Sequence, residues 1–253
     1  MRLIAHRGAS GYAPENTKVS FRIALEMGAT AMELDVRETS DSRIVVLHDE
    51  SLKRTAGLRA MVGEVPYSQI TTLDAGSWFD RRFAAERVPL LEHVLELAKD
   101  RAEMHVEVKG SGAKPGFERR LLDLLRRTGW LQNAVISSFH PEILKKLREL
   151  DKRVRLGYLV GGGPLVLPIK AVQDAKGIRC ESIHLSMSQV NTRWMRVNKD
   201  HGLTTLVYTV NKPEDLSKME HLGVDGVFTN YPDMVSRHWS AVGGTDDGRN
   251  SLA

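Results

Sequence analysis

The sequence predicts an α/β protein: a closed (β/α)8 barrel carrying a small insertion after the second strand. Eight short β-rich runs alternate with amphipathic helical runs along the chain, which is the pattern of a parallel sheet with crossover helices. The 253 residues match the usual size of one barrel domain. One interval of about fifty residues breaks this rhythm, and it follows the second strand. An open doubly wound sheet is the alternative, because periodicity does not show closure. The Gly161-Gly162-Gly163 run lacks the G-x-G-x-x-G spacing of a dinucleotide site.

The first predicted strand is "LIAHR", Leu3–Arg7. A helix over Thr17–Met27 follows, with Asn16 as a good N-cap and Gly28 placed to end it. "AMELDV", Ala31–Val36, is the second strand. "TSDSRIVVLHD" then reads as a turn and a return strand ending at His48. Glu50–Val88 is the mixed stretch, taken as an insertion placed to shape substrate access. Pro89 opens the next helix, where Leu91, Val94, Leu95 and Ala98 keep helical spacing. "MHVEVK", Met104–Lys109, is the third strand of the barrel, and Phe117, Leu121, Leu124 and Thr128 mark one face of the helix after it. The remaining strands are Ala134–Ser138, Val154–Val160, Ser182–Ser186, Thr204–Val210 and Asp225–Asn230. Pro141 and Pro213 sit where helices begin. Residues 1–240 are therefore expected to form one domain, with the insertion at about 50–88 and a small, polar, disordered tail over 241–253.

Composition narrows the function classes. The chain has 36 basic and 32 acidic residues, a net charge of +4. That mild excess suits a small anionic substrate. The densest basic stretch, "ERRLLDLLRR" (Glu118–Arg127), has the spacing of a wet helix face and no interleaved aromatics, so no nucleic-acid partner is expected. Cys180 is the only cysteine, which excludes an intrachain disulfide and reads as a small buried hydrophobe. The apolar run at the N-terminus breaks at His6, far short of a signal peptide. The longest apolar stretch, Tyr158–Val172, is broken by glycines and prolines and is too short for a bilayer. A soluble, cytoplasmic protein without stable membrane insertion is expected.

The candidate chemistry lies at strand ends. Residues i and i+2 of a strand share a face, so Glu33 and Asp35 point together, as do Glu107 and Lys109. Val and Leu neighbours take the opposite face. The acids then point into the barrel near the C-terminal strand ends, where barrel enzymes keep their active sites. Three carboxylates converging there need a counter-charge. A hard divalent cation, Mg2+ or Ca2+, supplies one; buried ion pairs with Lys109, Arg7 and Arg37 are the alternative. His6 and His48 end the first strand and the return strand, placing two potential proton-transfer groups beside the acids. Of the nine histidines, His105 and His184 have weaker claims to the barrel interior. Arg7 and Lys109 are fixed cations suited to a phosphate oxyanion.

Taken together, "HRG" (His6–Gly8), "PENT", "ELDV", "LHDESLKRT", "VPLLEHVL", "VEVKG", "SSFHPEIL", "VYTVN" and "DGVFTNYPD" (Asp225–Asp233) resemble the glycerophosphodiester phosphodiesterases in order and spacing. The resemblance implies a TIM barrel with a small insertion after the second strand. It implies a divalent metal on Glu33, Asp35 and Glu107, and His6 and His48 as the acid/base pair. It further implies Arg7 and Lys109 as phosphate-binding residues, with Glu15 and Asn16 near the site as further substrate-binding residues. Tyr208 stands where many members have Trp in the pocket wall. The implied activity is metal-dependent hydrolysis of a small glycerophosphodiester to sn-glycerol 3-phosphate and an alcohol. Which histidine is acid, whether water or the substrate 2-hydroxyl attacks, the headgroup, the metal and the oligomeric state stay open. A phospholipase D-like activity on lysophospholipids and a non-catalytic phosphodiester-binding role are the competing readings.

Overall fold

The computed structural model describes residues 1–110, 114–161 and 167–234. The expected tail at 241–253 and most of "GGGPLVLP" lie outside the described residues. Among the described residues nine strands form one sheet: β1 Arg2–His6, β2 Ala31–Glu38, β3 Ile44–Val46, β4 Glu103–Val108, β5 Ala134–Ser138, β6 Arg155–Leu159, β7 Ser182–Ser186, β8 Thr204–Tyr208 and β9 Gly226–Thr229. Eight of them are parallel and close on themselves, since β1 pairs with both β9 and β2. This is a (β/α)8 TIM barrel, with every predicted barrel strand present. The remaining strand, β3, is the return strand and pairs antiparallel with β2.

The crossover helices are α1 Lys18–Glu26, α4 Leu91–Ala98, α5 Phe117–Arg127, α6 Pro141–Leu150, α7 Pro168–Ile178, α8 Thr192–Asp200 and α9 Pro213–Leu222. Pro141 and Pro213 each take a first-turn position, where a missing N–H costs nothing. The outward faces of the strands, Met32, Leu34, Val36, Met104, Val106 and Ile136 among them, pack under Phe21, Leu91, Leu95, Leu121 and Leu144 in one apolar layer. One expectation is corrected here. Thr17 caps α1, its hydroxyl accepting from the Ser20 N–H at 3.4 Å. Asn16 is buried and turned away from the helix, because its amide is bonded to Asp35 instead.

Between β3 and α4 the chain forms two short helices, α2 Lys53–Ala56 and α3 Tyr67–Ile70, and two 3-10 turns. These have an apolar core of their own, built from Leu52, Val62, Val65, Ile70 and Val88 with Val45 and Leu47. Strand alternation explains the join: Ile44 and Val46 face the barrel layer, while Val45 and Leu47 face the insertion.

The barrel interior is filled from below. Glu103 bridges Arg2 at 3.0 Å and Arg155 at 2.9 Å, and Arg155 reaches Glu181 at 2.7 Å. Above them Ile4, Ala31, Leu206 and Phe228 pack together. His105 and His184 lie against Phe228, with ring centroids at 5.6 and 5.3 Å. Gly157 leaves room for the second ring, since a Cβ there would stand 2.5 Å from His184 Nε2. At the C-terminal mouth a cavity stays open, lined by His6, Arg7, Glu33, His48, Glu107 and Lys109.

Candidate active site

The turn after β1 builds one wall. Arg7 and Gly8 both take left-handed backbone, with φ of 57° and 77°. A Cβ on Gly8 would lie 2.5 Å from Ser20 Oγ, so the turn can press against α1 only with glycine there. The turn aims the Arg7 N–H at Glu33 Oε2, 3.1 Å away. His6, just before it, is anchored through Nδ1 to Asn230 Oδ1 at 2.8 Å. Asn230 is held in turn by its N–H donating to Asn211 Oδ1 at 2.9 Å. With Nδ1–H donating to that amide oxygen, His6 Nε2 is left for the cavity.

Parallel register brings the acids together. His6 lies beside Glu33 across β1 and β2, and Asp35 lies beside Glu107 across β2 and β4. Glu33, Asp35 and Glu107 are buried, and one oxygen from each lies within 4.8 Å of the others. Lys109 Nζ reaches Asp35 Oδ1 at 2.8 Å and also pairs with Glu107. Arg7 Nε lies 3.1 Å from Asp35 Oδ2, and Asn16 Nδ2 donates to the same oxygen at 2.8 Å.

Burial alone would raise the Asp35 carboxyl, but Lys109 and Arg7 hold it well below its ordinary range. Burial and the neighbouring charges of Asp35 and Glu107 push Glu33 well above its own. Burial and Asp35 raise Glu107. Two cations therefore do not neutralise three carboxylates, and Glu33 is the group left over. An all-oxygen donor set of this span with an uncompensated charge suits a hard divalent cation.

His48 enters from the other side. The Leu47 N–H donates to Asp35 O at 3.0 Å, and Arg37 Nε donates to His48 O at 2.9 Å, which fixes the end of the return strand over the mouth. Its Nδ1 lies 2.7 Å from Asp49 Oδ1. Burial, followed by Arg7, lowers the His6 imidazole to about 4. Burial also lowers His48, with Asp35 opposing. The two rings share a cavity of about 170 Å3 with Arg7, Glu33, Glu107, Lys109 and Tyr208. Tyr208 donates to Val160 O at 3.3 Å and meets Phe139 edge to face at 6.1 Å.

A cavity that joins two anchored imidazoles, a carboxylate cluster and two cations has the groups that phosphoryl chemistry uses. Residues 6–234 match the glycerophosphoryl diester phosphodiesterase family. The chain belongs to this family. A glycerophosphodiester phosphodiesterase of Bacillus subtilis is 34% identical over 92% of this chain and 85% of its own length. Another, from Caldanaerobacter subterraneus subsp. tengcongensis, is 34% identical over 92% of this chain and 95% of the relative. Among solved structures, an Oleispira antarctica phosphodiesterase in complex with the product sn-glycerol-3-phosphate superposes with a TM-score of 0.86, at 28% identity over 96% and 97% of the two chains. The glycerophosphodiester phosphodiesterase of Agrobacterium tumefaciens gives 0.81 at 29% identity over 94% and 99%. The chain is thus an enzyme, a phosphoric diester hydrolase.

Of the residues singled out in the sequence, His6, Arg7, Glu33, His48, Glu107, Lys109 and Tyr208 line the cavity of this phosphodiesterase. Asp35 stands behind them, bonded to Arg7, Lys109 and Asn16. Glu15 gives its carboxylate to Arg7 at 2.9 Å and to Arg54 at 2.7 Å. Asn230, Asp49, Arg54 and Phe139 were missed as site residues. Asp49 and Arg54 stand in "LHDESLKRT", and Phe139 in "SSFHPEIL", so position gave a faint signal. Asn230 stands in "DGVFTNYPD", but only the closure of the barrel brings it to His6.

Proposed function

We propose that this enzyme hydrolyses glycerophosphodiesters to sn-glycerol 3-phosphate and an alcohol, with a divalent cation, Mg2+ or Ca2+, on Glu33, Asp35 and Glu107. The observation that carries the reading is the convergence of two imidazoles on one cavity, each anchored through Nδ1, with His6 Nε2 3.9 Å from Glu33 Oε2, beside three crowded carboxylates. The product bound by the Oleispira antarctica relative supports the same substrate class. The cation, when bound, supplies positive charge to the phosphate oxygens and to the charge that builds at phosphorus.

The chain's own residues do the rest. Arg7 and Lys109 hold the non-bridging phosphate oxygens, since each sits at the cavity and keeps its positive charge. Glu15 orients Arg7 and does not itself meet the phosphate, because an anion beside an anion would repel it. One histidine takes, at Nε2, the proton of the attacking water, or of the substrate 2-hydroxyl with water then opening the cyclic phosphate. The other gives a proton to the leaving alkoxide, so that one P–O bond forms as another breaks and no net proton is lost. Tyr208 and Phe139 form the wall the substrate packs against.

The test is release of glycerol 3-phosphate from glycerophosphocholine and glycerophosphoethanolamine. His6→Ala and His48→Ala are each expected to lower kcat by about 10²–10⁴-fold. EDTA should abolish turnover and metal add-back restore it. Independently of activity, Mg2+ or Ca2+ should raise the thermal midpoint of the native chain and fail to raise that of Glu33→Gln with Glu107→Gln. Turnover that ignores both chelation and the two histidines would sink the assignment.

A further inference from the structure

We propose that Arg54, contributed by the insertion, is a positioning residue that sets the catalytic histidine and the phosphate-binding arginine together; the inference rests on the function proposed above. Arg54 lies on α2, and neither it nor Asp49 is among the residues lining the cavity. Its guanidinium is nonetheless shared between two carboxylates that belong to different walls of the site. Nε lies 2.6 Å from Asp49 Oδ2 and Nη2 3.0 Å from Oδ1. On the other side Nη1 lies 2.9 Å from Glu15 Oε2 and Nη2 2.7 Å from Oε1. Each carboxylate hands the constraint on. Asp49 Oδ1 accepts from His48 Nδ1 at 2.7 Å, and Glu15 Oε1 accepts from Arg7 Nη1 at 2.9 Å. Arg7 then closes the row on Asp35.

The row from His48 to Asp35 therefore alternates in sign at every step after the imidazole: Asp49, Arg54, Glu15, Arg7, Asp35. Only a planar, doubly bidentate donor fits its centre, which lysine is not. The Trp78 ring, its centroid 5.6 Å from the guanidinium carbon, lies against one face of the group. Asp49 fixes which nitrogen of His48 carries the proton, and Arg54 fixes Asp49. The insertion thus acts on the reaction through orientation, and misplacement of either wall by a fraction of an ångström is what its loss would cause.

The experiment combines kinetics with imidazole 15N NMR on the full chain. In the native enzyme, above the titration range of His48, the neutral ring is expected to carry its proton on Nδ1. Arg54→Ala should shift that ring towards the Nε2–H tautomer and lower kcat by about 10–100-fold, the range seen when groups that orient a site residue are removed. Arg54→Lys should recover less than a tenth of the loss, and added guanidinium should restore Arg54→Ala in part. If Arg54→Ala does not fold, Asp49→Asn provides the same two readouts, and a native tautomer with native kcat would overturn the proposal. Full recovery by Arg54→Lys would also overturn it, by showing that charge alone suffices. Failure of the native enzyme to hydrolyse any glycerophosphodiester would sink the functional reading, while the tautomer measurement would still decide the positional one.

Discussion

Asn16 and Thr17 show how far side-chain chemistry carries at single positions. Both are good caps, and nothing local in "PENT" decides between them. The decision comes from Asp35, whose buried carboxylate takes the Asn16 amide and leaves Thr17 to the helix. By contrast, Glu33, Asp35, Glu107 and Lys109 were legible because the two-residue period of a strand is independent of context. Gly8 is needed for its positive φ and for its closeness to α1. Gly8→Ala is therefore expected to cost about 1–3 kcal/mol, read as a lower urea midpoint. Cys180 offers a control in the other direction. Burial pushes its thiol up to about 12, so Ellman's reagent at pH 8 should leave it untouched in the native chain and label it in urea.

At the scale of elements, the barrel strands and the return strand were readable, whereas the insertion was not. Helices of four residues, such as α2 and α3, are too short to show a period. Their stability comes from the small apolar core they share with Val45 and Leu47. Leu52 is fully buried in it. Leu52→Ala should destabilise the insertion by about 2–5 kcal/mol, so that limited proteolysis cuts within residues 50–88 before the barrel unfolds. Activity should fall along with the first cut, since His48 and Arg54 both depend on this element.

For the whole molecule, the buried histidines of the barrel axis make stability depend on pH. Burial lowers His105 and lowers His184 well below its ordinary value. On acidification the unfolded chain takes up protons at these positions before the folded one does. Stability is thus unpenalised above the ordinary histidine value of about 6.5 and declines below it, by up to about 1.4 kcal/mol per pH unit for each group. Chemical denaturation from pH 7.5 to pH 5 should show this decline, and His184→Gln should flatten it. Barrel closure was inferred from eight β-α pairs, yet of the packing along its axis only the inward placement of His105 and His184 was legible in the sequence. The ion network of Arg2, Glu103, Arg155 and Glu181 draws on three separate strands and the turn before β7.

Closure also has a consequence in time. His6 and Asn230 are 224 positions apart in the chain, and β1 completes the barrel by pairing with β9. During synthesis β1 leaves the ribosome well before β9 and waits, unpaired on that side, until β9 has been made. Such distant pairing is slow to form. A nascent or C-terminally shortened chain that stops before Asn230 would hold every acid of the cluster and still lack an oriented His6. The pairing of β9 with β1 and the orientation of His6 by Asn230 are thus one event, which no earlier part of the barrel can bring about.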